Sequence, residues 1–132
     1  MAIDTLLRQL AHELGLSELS LDHTNTCAIG LPDDLHIDLH HEPQAGVLCL
    51  AADLLQLQDD TRAQVVPALL RANLDLGALG GAWFARRERT VSLCRSLPVD
   101  GLDIRTLAEA LAGLVTQCRR WRAHLAASAG AL

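Results

Sequence analysis

Apolar residues along this chain recur first at steps of three and four, then at steps of two. Ile3, Leu6, Leu7, Leu10 and Leu14 fall on one stripe at helical spacing. Arg8, Gln9, His12 and Glu13 lie mostly outside it, so the pattern predicts an amphipathic helix over about 2–14. Gly15 stands where a left-handed cap would end that helix, and Leu16 can fold back on its last turn.

A polar connection, "SELSLDHTNT", leads into three predicted strands. "TCAIGL" is short and stops at Pro32. "LHIDLHHE" alternates, with Leu35, Ile37 and Leu39 on one face and His36, Asp38 and His40 on the other. A loop at "EPQAG" connects it to "GVLCLAAD". This third run does not alternate: Val47 to Ala52 are apolar on both faces. Its outer face must then be covered by another element, a second subunit or a ligand chain. Because "CLAADLLQLQ" also fits helical spacing, helix is the rival reading there.

A second helix is predicted over roughly 60–74. Val65, Val66, Leu69, Leu70 and Leu74 form its apolar face, and Asp59 or Asp60 can cap it. Pro67 removes one hydrogen bond and crowds the preceding turn, so the regular helix starts near Val66 or kinks there. Gly77, Gly80 and Gly81 break the chain before a hairpin of "AWFARRER" and "TVSLCRSL". Val91, Leu93 and Arg95 share a face of its second strand, opposite Ser92 and Cys94. A last helix carries Ile104, Leu107, Leu111, Leu114, Cys118, Trp121 and Leu125 on one stripe. Asp103 caps its start, arginines crowd its end, and the tail "AASAGAL" is expected to fray. The element order α-β-β-β-α-β-β-α makes an α+β fold in one domain, residues 1–132.

Composition narrows the function. The net charge is −5, from 16 acids and 11 bases, all arginine. With one Phe, two Trp and no Tyr, the chain lacks both the basic surface and the stacking platforms of a nucleic-acid binder. No signal peptide is visible, and no run approaches the roughly 18 apolar residues of a membrane span. The cysteines (Cys27, Cys49, Cys94, Cys118) form no CxxC pair. They read as buried free thiols in a reducing compartment, with a zinc site or a disulfide as the alternatives.

Chemistry is sparse. His36, Asp38, His40 and His41 are suitable metal ligands by type, but they lie along one strand, and a closed site needs ligands from other elements. No nucleophile has a recognisable base beside it, and no phosphate-loop or dinucleotide motif is present. Arg86, Arg87 and Arg89 read as a solvated hairpin tip. No catalytic residue, metal or cofactor is assigned.

The segment from Leu69 to Leu125 resembles the class I chaperones of bacterial type III secretion, the CesT/Tir-chaperone family. The likeness is carried by Leu69, Leu70 and Asn73 at a helix end, a glycine-rich break, a hairpin, the Leu97-Pro98 turn and a long last helix with Trp121. The arginine-rich hairpin turn and Pro67 depart from the family pattern.

The resemblance implies a twisted antiparallel sheet flanked by helices, in a homodimer of the bacterial cytoplasm. It also implies a non-enzymatic role: binding the N-terminal chaperone-binding region of a secreted effector, keeping it secretion-competent and delivering it to the apparatus, with contact to the secretion ATPase. Dimer contacts carried over from the family fall on Val65, Val66, Leu69, Leu70, Asn73, Trp83 and Phe84. Effector contacts fall on Ile3, Leu7, Leu10, Leu14, Ile29, Leu31, Ile37, Leu39, Leu48 and Leu50. A regulatory module of the same fold, sequestering a transcriptional regulator or another secretion component, is the alternative.

Overall fold

The computed structural model describes residues 2–58, 62–75, 77 and 79–130. The order is α1 (Ile3–Leu14), β1 (Thr26–Leu31), β2 (Leu35–Glu42), β3 (Val47–Gln56), α2 (Arg62–Ala72), β4 (Trp83–Arg87), β5 (Thr90–Pro98) and α3 (Ile104–Gly130). The five strands form one antiparallel sheet in the order β1-β2-β3-β5-β4, which leaves β1 and β4 at its edges. This is the α+β architecture expected from the sequence.

The chain divides into two compact units. One is Met1–Leu50 with Ser96–Ala112, the other Ala51–Arg95 with Gly113–Leu132. In the first, Leu6, Leu7, Leu10 and Ala11 bury the inner face of α1. Gly15, at φ 70°, caps the helix, and its own N–H and that of Leu16 return to the carbonyls of His12 and Ala11 at 3.2 and 2.8 Å. Those bonds close the orphan carbonyls of the last turn. Asp22 then launches β1: its carboxylate accepts from the Thr24 and Thr26 N–H groups and from the Thr24 hydroxyl. The bonds from Thr24 are the main cause that holds this carboxyl below the usual aspartate range.

β1 and β2 pair antiparallel from Thr26↔His40 to Leu31↔Leu35. The turn between them is Pro32-Asp33-Asp34, with Asp33 at φ 66° and Asp34 at φ 56°, a region that short acidic side chains tolerate. Ile37, Leu39, Ile29 and Leu35 are buried, while His36 and Asp38 face outward.

The third strand settles the helix-or-strand question. It is a strand, and it runs past Asp53 to Gln56. Leu48, Leu50, Ala52 and Leu54 are buried, whereas Val47, Cys49, Ala51 and Leu55 are half-buried on the other face. Burial alternates although residue type does not, which is why the sequence pattern was ambiguous.

In the second unit, α2 starts at Arg62 and passes through Pro67 without stopping. The proline forgoes one backbone bond to the turn before it, and the turns on both sides continue. The regular helix therefore does not wait for Val66. The expected caps, Asp59 and Asp60, lie outside the described residues. β4 and β5 pair from Trp83↔Cys94 to Arg87↔Thr90, joined by a two-residue turn with Glu88 at φ 55°.

α3 begins as expected, with the Asp103 carboxylate accepting from the Thr106 N–H at 2.8 Å. Of the tail expected to fray, residues 126–130 continue α3 as far as Gly130, and residues 131 and 132 lie outside the described residues. Alanine dominates that segment, and alanine is the best helix former. None of the four cysteines is in a disulfide, and only Cys27 and Cys118 are buried; Cys49 and Cys94 are half-buried. Burial pushes the thiols of Cys27, Cys49 and Cys118 above their usual range.

Candidate functional site

The second unit builds a surface from the end of α2 and the edge strand β4. Asn73 is the element that joins them. Its Nδ2 donates to the Phe84 carbonyl at 3.0 Å, and its Oδ1 accepts from the Phe84 N–H at 2.6 Å. One side-chain amide thus satisfies both backbone groups of an edge residue, as a neighbouring strand would. Below this clip, Leu69, Phe84 and Val91 are buried. The Phe84 ring meets Trp121 of α3 edge-on, with centroids 5.0 Å apart, and Trp121 in turn meets His124. Arg122 fixes α3 further, donating from Nε to the Leu54 carbonyl and from Nη2 to that of Asp53.

Three large apolar side chains of this unit stay exposed beside polar ones such as Arg71 and Arg86. Leu70 is 63% exposed, Leu74 85% and Trp83 37%. Val65 and Val66 on α2 are half-buried. A shallow cleft runs between α2 and β4 past Val66, Leu69, Leu70, Asn73 and Arg86. Of the residues assigned to dimer contacts, Leu69 and Phe84 are core, Asn73 is the clip, and Val65, Val66, Leu70 and Trp83 keep surface area. Leu74, in the turn that ends the helix, was not among them, although its place on the apolar stripe was the signal.

The first unit separates its candidates in the same way. Leu7, Leu10, Ile29, Ile37, Leu39, Leu48 and Leu50 are at most 1% exposed. They are core within this chain and offer no area to a partner. Ile3, Leu14 and Leu31 are half-buried and do. The reversal at Gly15 also sends the chain back beside α1. This makes a groove past Asp4, Arg8, His12, Leu16 and the segment Ser17–Ser20. Leu16 is 36% exposed there. Leu19 and Leu21, in the polar connection, are half-buried. These three leucines were missed because an irregular segment carries no periodicity.

The histidine row does not converge. His40 is held between the Thr26 hydroxyl, 2.9 Å from Nδ1, and the Glu42 carboxylate at Nε2. Among the described residues no group of three His, Cys, Asp or Glu side chains stands close enough to share a metal ion.

Charge is divided between the units. The first holds eleven carboxylates and two arginines, a formal −9. The second holds five carboxylates and nine arginines, a formal +4, and together they make the −5 of the chain. No helix among the described residues is long and apolar enough to cross a membrane.

Solved structures share the fold, three complexes among them. The chain superposes on a chain of the ExsC–ExsE complex with a TM-score of 0.83 at 21% identity, covering 93% of this chain and 92% of that one. For the HopA1–SchA chaperone–effector complex the TM-score is 0.76 at 24% identity, over 89% and 91%. For the Yersinia pestis type III secretion chaperone SycH, bound to a stable fragment of YscM2, it is 0.71 at 22% identity, over 90% and 98%. A search of curated proteins gives no match. The model of one protein family matches residues 5–122, nearly the whole chain, and by that match the protein belongs to the Tir chaperone protein (CesT) family.

Proposed function

We propose that this chain is a single-domain, non-catalytic chaperone of a bacterial type III secretion system, acting in the cytoplasm as a homodimer. It holds the N-terminal chaperone-binding region of a secreted effector in an extended form and hands it to the secretion apparatus, where the ATPase is the expected contact. The observation that carries this reading is the family match over residues 5–122. Relatives of the same fold were solved as chaperone–effector complexes, HopA1–SchA among them.

The geometry supports a division of labour. Leu70, Leu74 and Trp83 are large apolar side chains left exposed, the kind of surface a second copy would cover. The half-buried Ile3, Leu14 and Leu31, with the groove at Leu16, suit side chains of an extended segment. β1 is an edge, so its backbone can accept an added strand. Such pairing tolerates many sequences, while apolar pockets choose among them.

The test is co-purification of the tagged protein from its own bacterium, with identification of what it brings. A secreted protein held through its N-terminal segment supports the reading. A transcriptional regulator held in its place moves the fold to a sequestering role.

A further inference from the structure

Arg95 occupies a position that its strand otherwise gives to core residues. On β5 it shares a face with Val91, Leu93 and Leu97, which are 1%, 0% and 5% exposed. β5 lies between β3 and β4, so this is an interior strand. Arg95 is half-buried, and among the described residues its guanidinium has no hydrogen-bond or ion-pair partner. A cation withdrawn from water without a counter-charge is unfavourable, so such a residue asks for a reason.

Among the described residues that line the space beside it, none is acidic. A cavity of about 150 Å³ is lined by Arg95, Gln117, Leu79, Ala82, Leu114 and Gly113. A Cβ at Gly81 would come 4.0 Å from the Arg95 Nε, and one at Gly113 would project into empty space. The cavity is too small for a cofactor or drug-sized ligand, which needs roughly 300 Å³ or more. It is the size of one side chain. Its walls pair a cation with leucine, and the unit that contains it carries a formal +4.

We infer that this cavity is a subsite for one acidic side chain, Asp or Glu, of a bound extended polypeptide, with Arg95 as its counter-charge. The inference rests on the chaperone reading for its occupant. The guanidinium offers donors in a planar fork that matches a carboxylate, and the leucines cover the methylenes that carry it.

The test uses the intact protein and two small probes, N-acetyl-glutamate N-methylamide and the isosteric glutamine compound. Arginine Nε–H and glutamine side-chain NMR signals are followed. The glutamate probe shifts Arg95 and Gln117 saturably and leaves Arg86 and Arg87 in place; the glutamine probe does not. Equal shifts from both probes, or equal shifts at Arg86 and Arg87, overturn the subsite. In R95L the Gln117 response disappears and the thermal midpoint rises, because a half-buried charge with no partner among the described residues is removed. A lower midpoint makes Arg95 a structural residue and overturns the assignment.

A client, once identified, binds R95L about tenfold more weakly or worse. Unchanged affinity sinks the subsite and leaves the chaperone reading standing. If the wild-type protein holds no client, the chaperone reading fails and the probe titration alone decides the pocket.

Discussion

Asn73 and Phe84 are joined by two hydrogen bonds, one to each backbone group of Phe84, at 3.0 and 2.6 Å. The side chain at the end of a helix thereby takes the place of a missing strand at the edge of the sheet. Exposed strand edges invite unwanted pairing, and this clip closes the β4 edge at its buried aromatic residue. Asn73→Ala leaves both groups without a protein partner. The expected cost is about 1–3 kcal/mol in urea unfolding. A stability equal to wild type would show that the clip contributes nothing.

Leu69 and Leu70 are adjacent, yet one is 4% exposed and the other 63%. A charge at Leu69 enters the core, so Leu69→Asp unfolds the unit and says nothing about dimers. Leu70→Asp and Leu74→Asp are the clean variants. Both are expected to keep the circular dichroism of the wild type and to run as monomers by light scattering. Dimers of unchanged mass would place the interface elsewhere.

The Asp103 carboxylate caps α3 through the Thr106 N–H, and that bond is the main cause that lowers its pKa. A lowered folded value means that the stabilisation is complete above the ordinary aspartate range. It is lost as pH falls through the lowered value. Thermal midpoints of wild type and Asp103→Ala are therefore expected to differ at neutral pH and to converge in acid. A gap that stays constant down to strongly acidic pH contradicts the cap.

Leu10 and Leu16 separate core from surface on the first unit. Leu10 is 0% exposed, and Leu10→Ala is expected to cost about 2–5 kcal/mol in denaturant unfolding. Leu16→Asp, in the groove beside α1, is expected to keep stability and dimer mass while weakening client capture. Unimpaired capture would remove the groove from the binding surface.

These pairs also mark what the sequence could reveal. Where residue type follows burial, the elements were legible: the α1 stripe with its Gly15 cap, the alternation of β2, and Asp103 at the start of α3. β3 was ambiguous because Cys49 and Ala51 are apolar on its less buried face. α2 was blurred by Pro67, which the helix accommodates. The candidate surfaces were less legible. A leucine looks the same in the core and on a patch, so Leu7 and Leu10 could not be told from Leu70. The partnership of Asn73 and Phe84, and the position of Arg95 over its cavity, arise from tertiary placement alone.

The central claim is that a dimer of this chain holds one extended N-terminal segment of a secreted protein. The most direct measurement is the mass of the purified complex by light scattering, joined to limited proteolysis of the bound client. The account predicts two copies of this chain for each client, with protection confined to a short N-terminal stretch and the rest of the client cleaved as when free. A one-to-one complex, or protection spread over the folded body of the client, would contradict it.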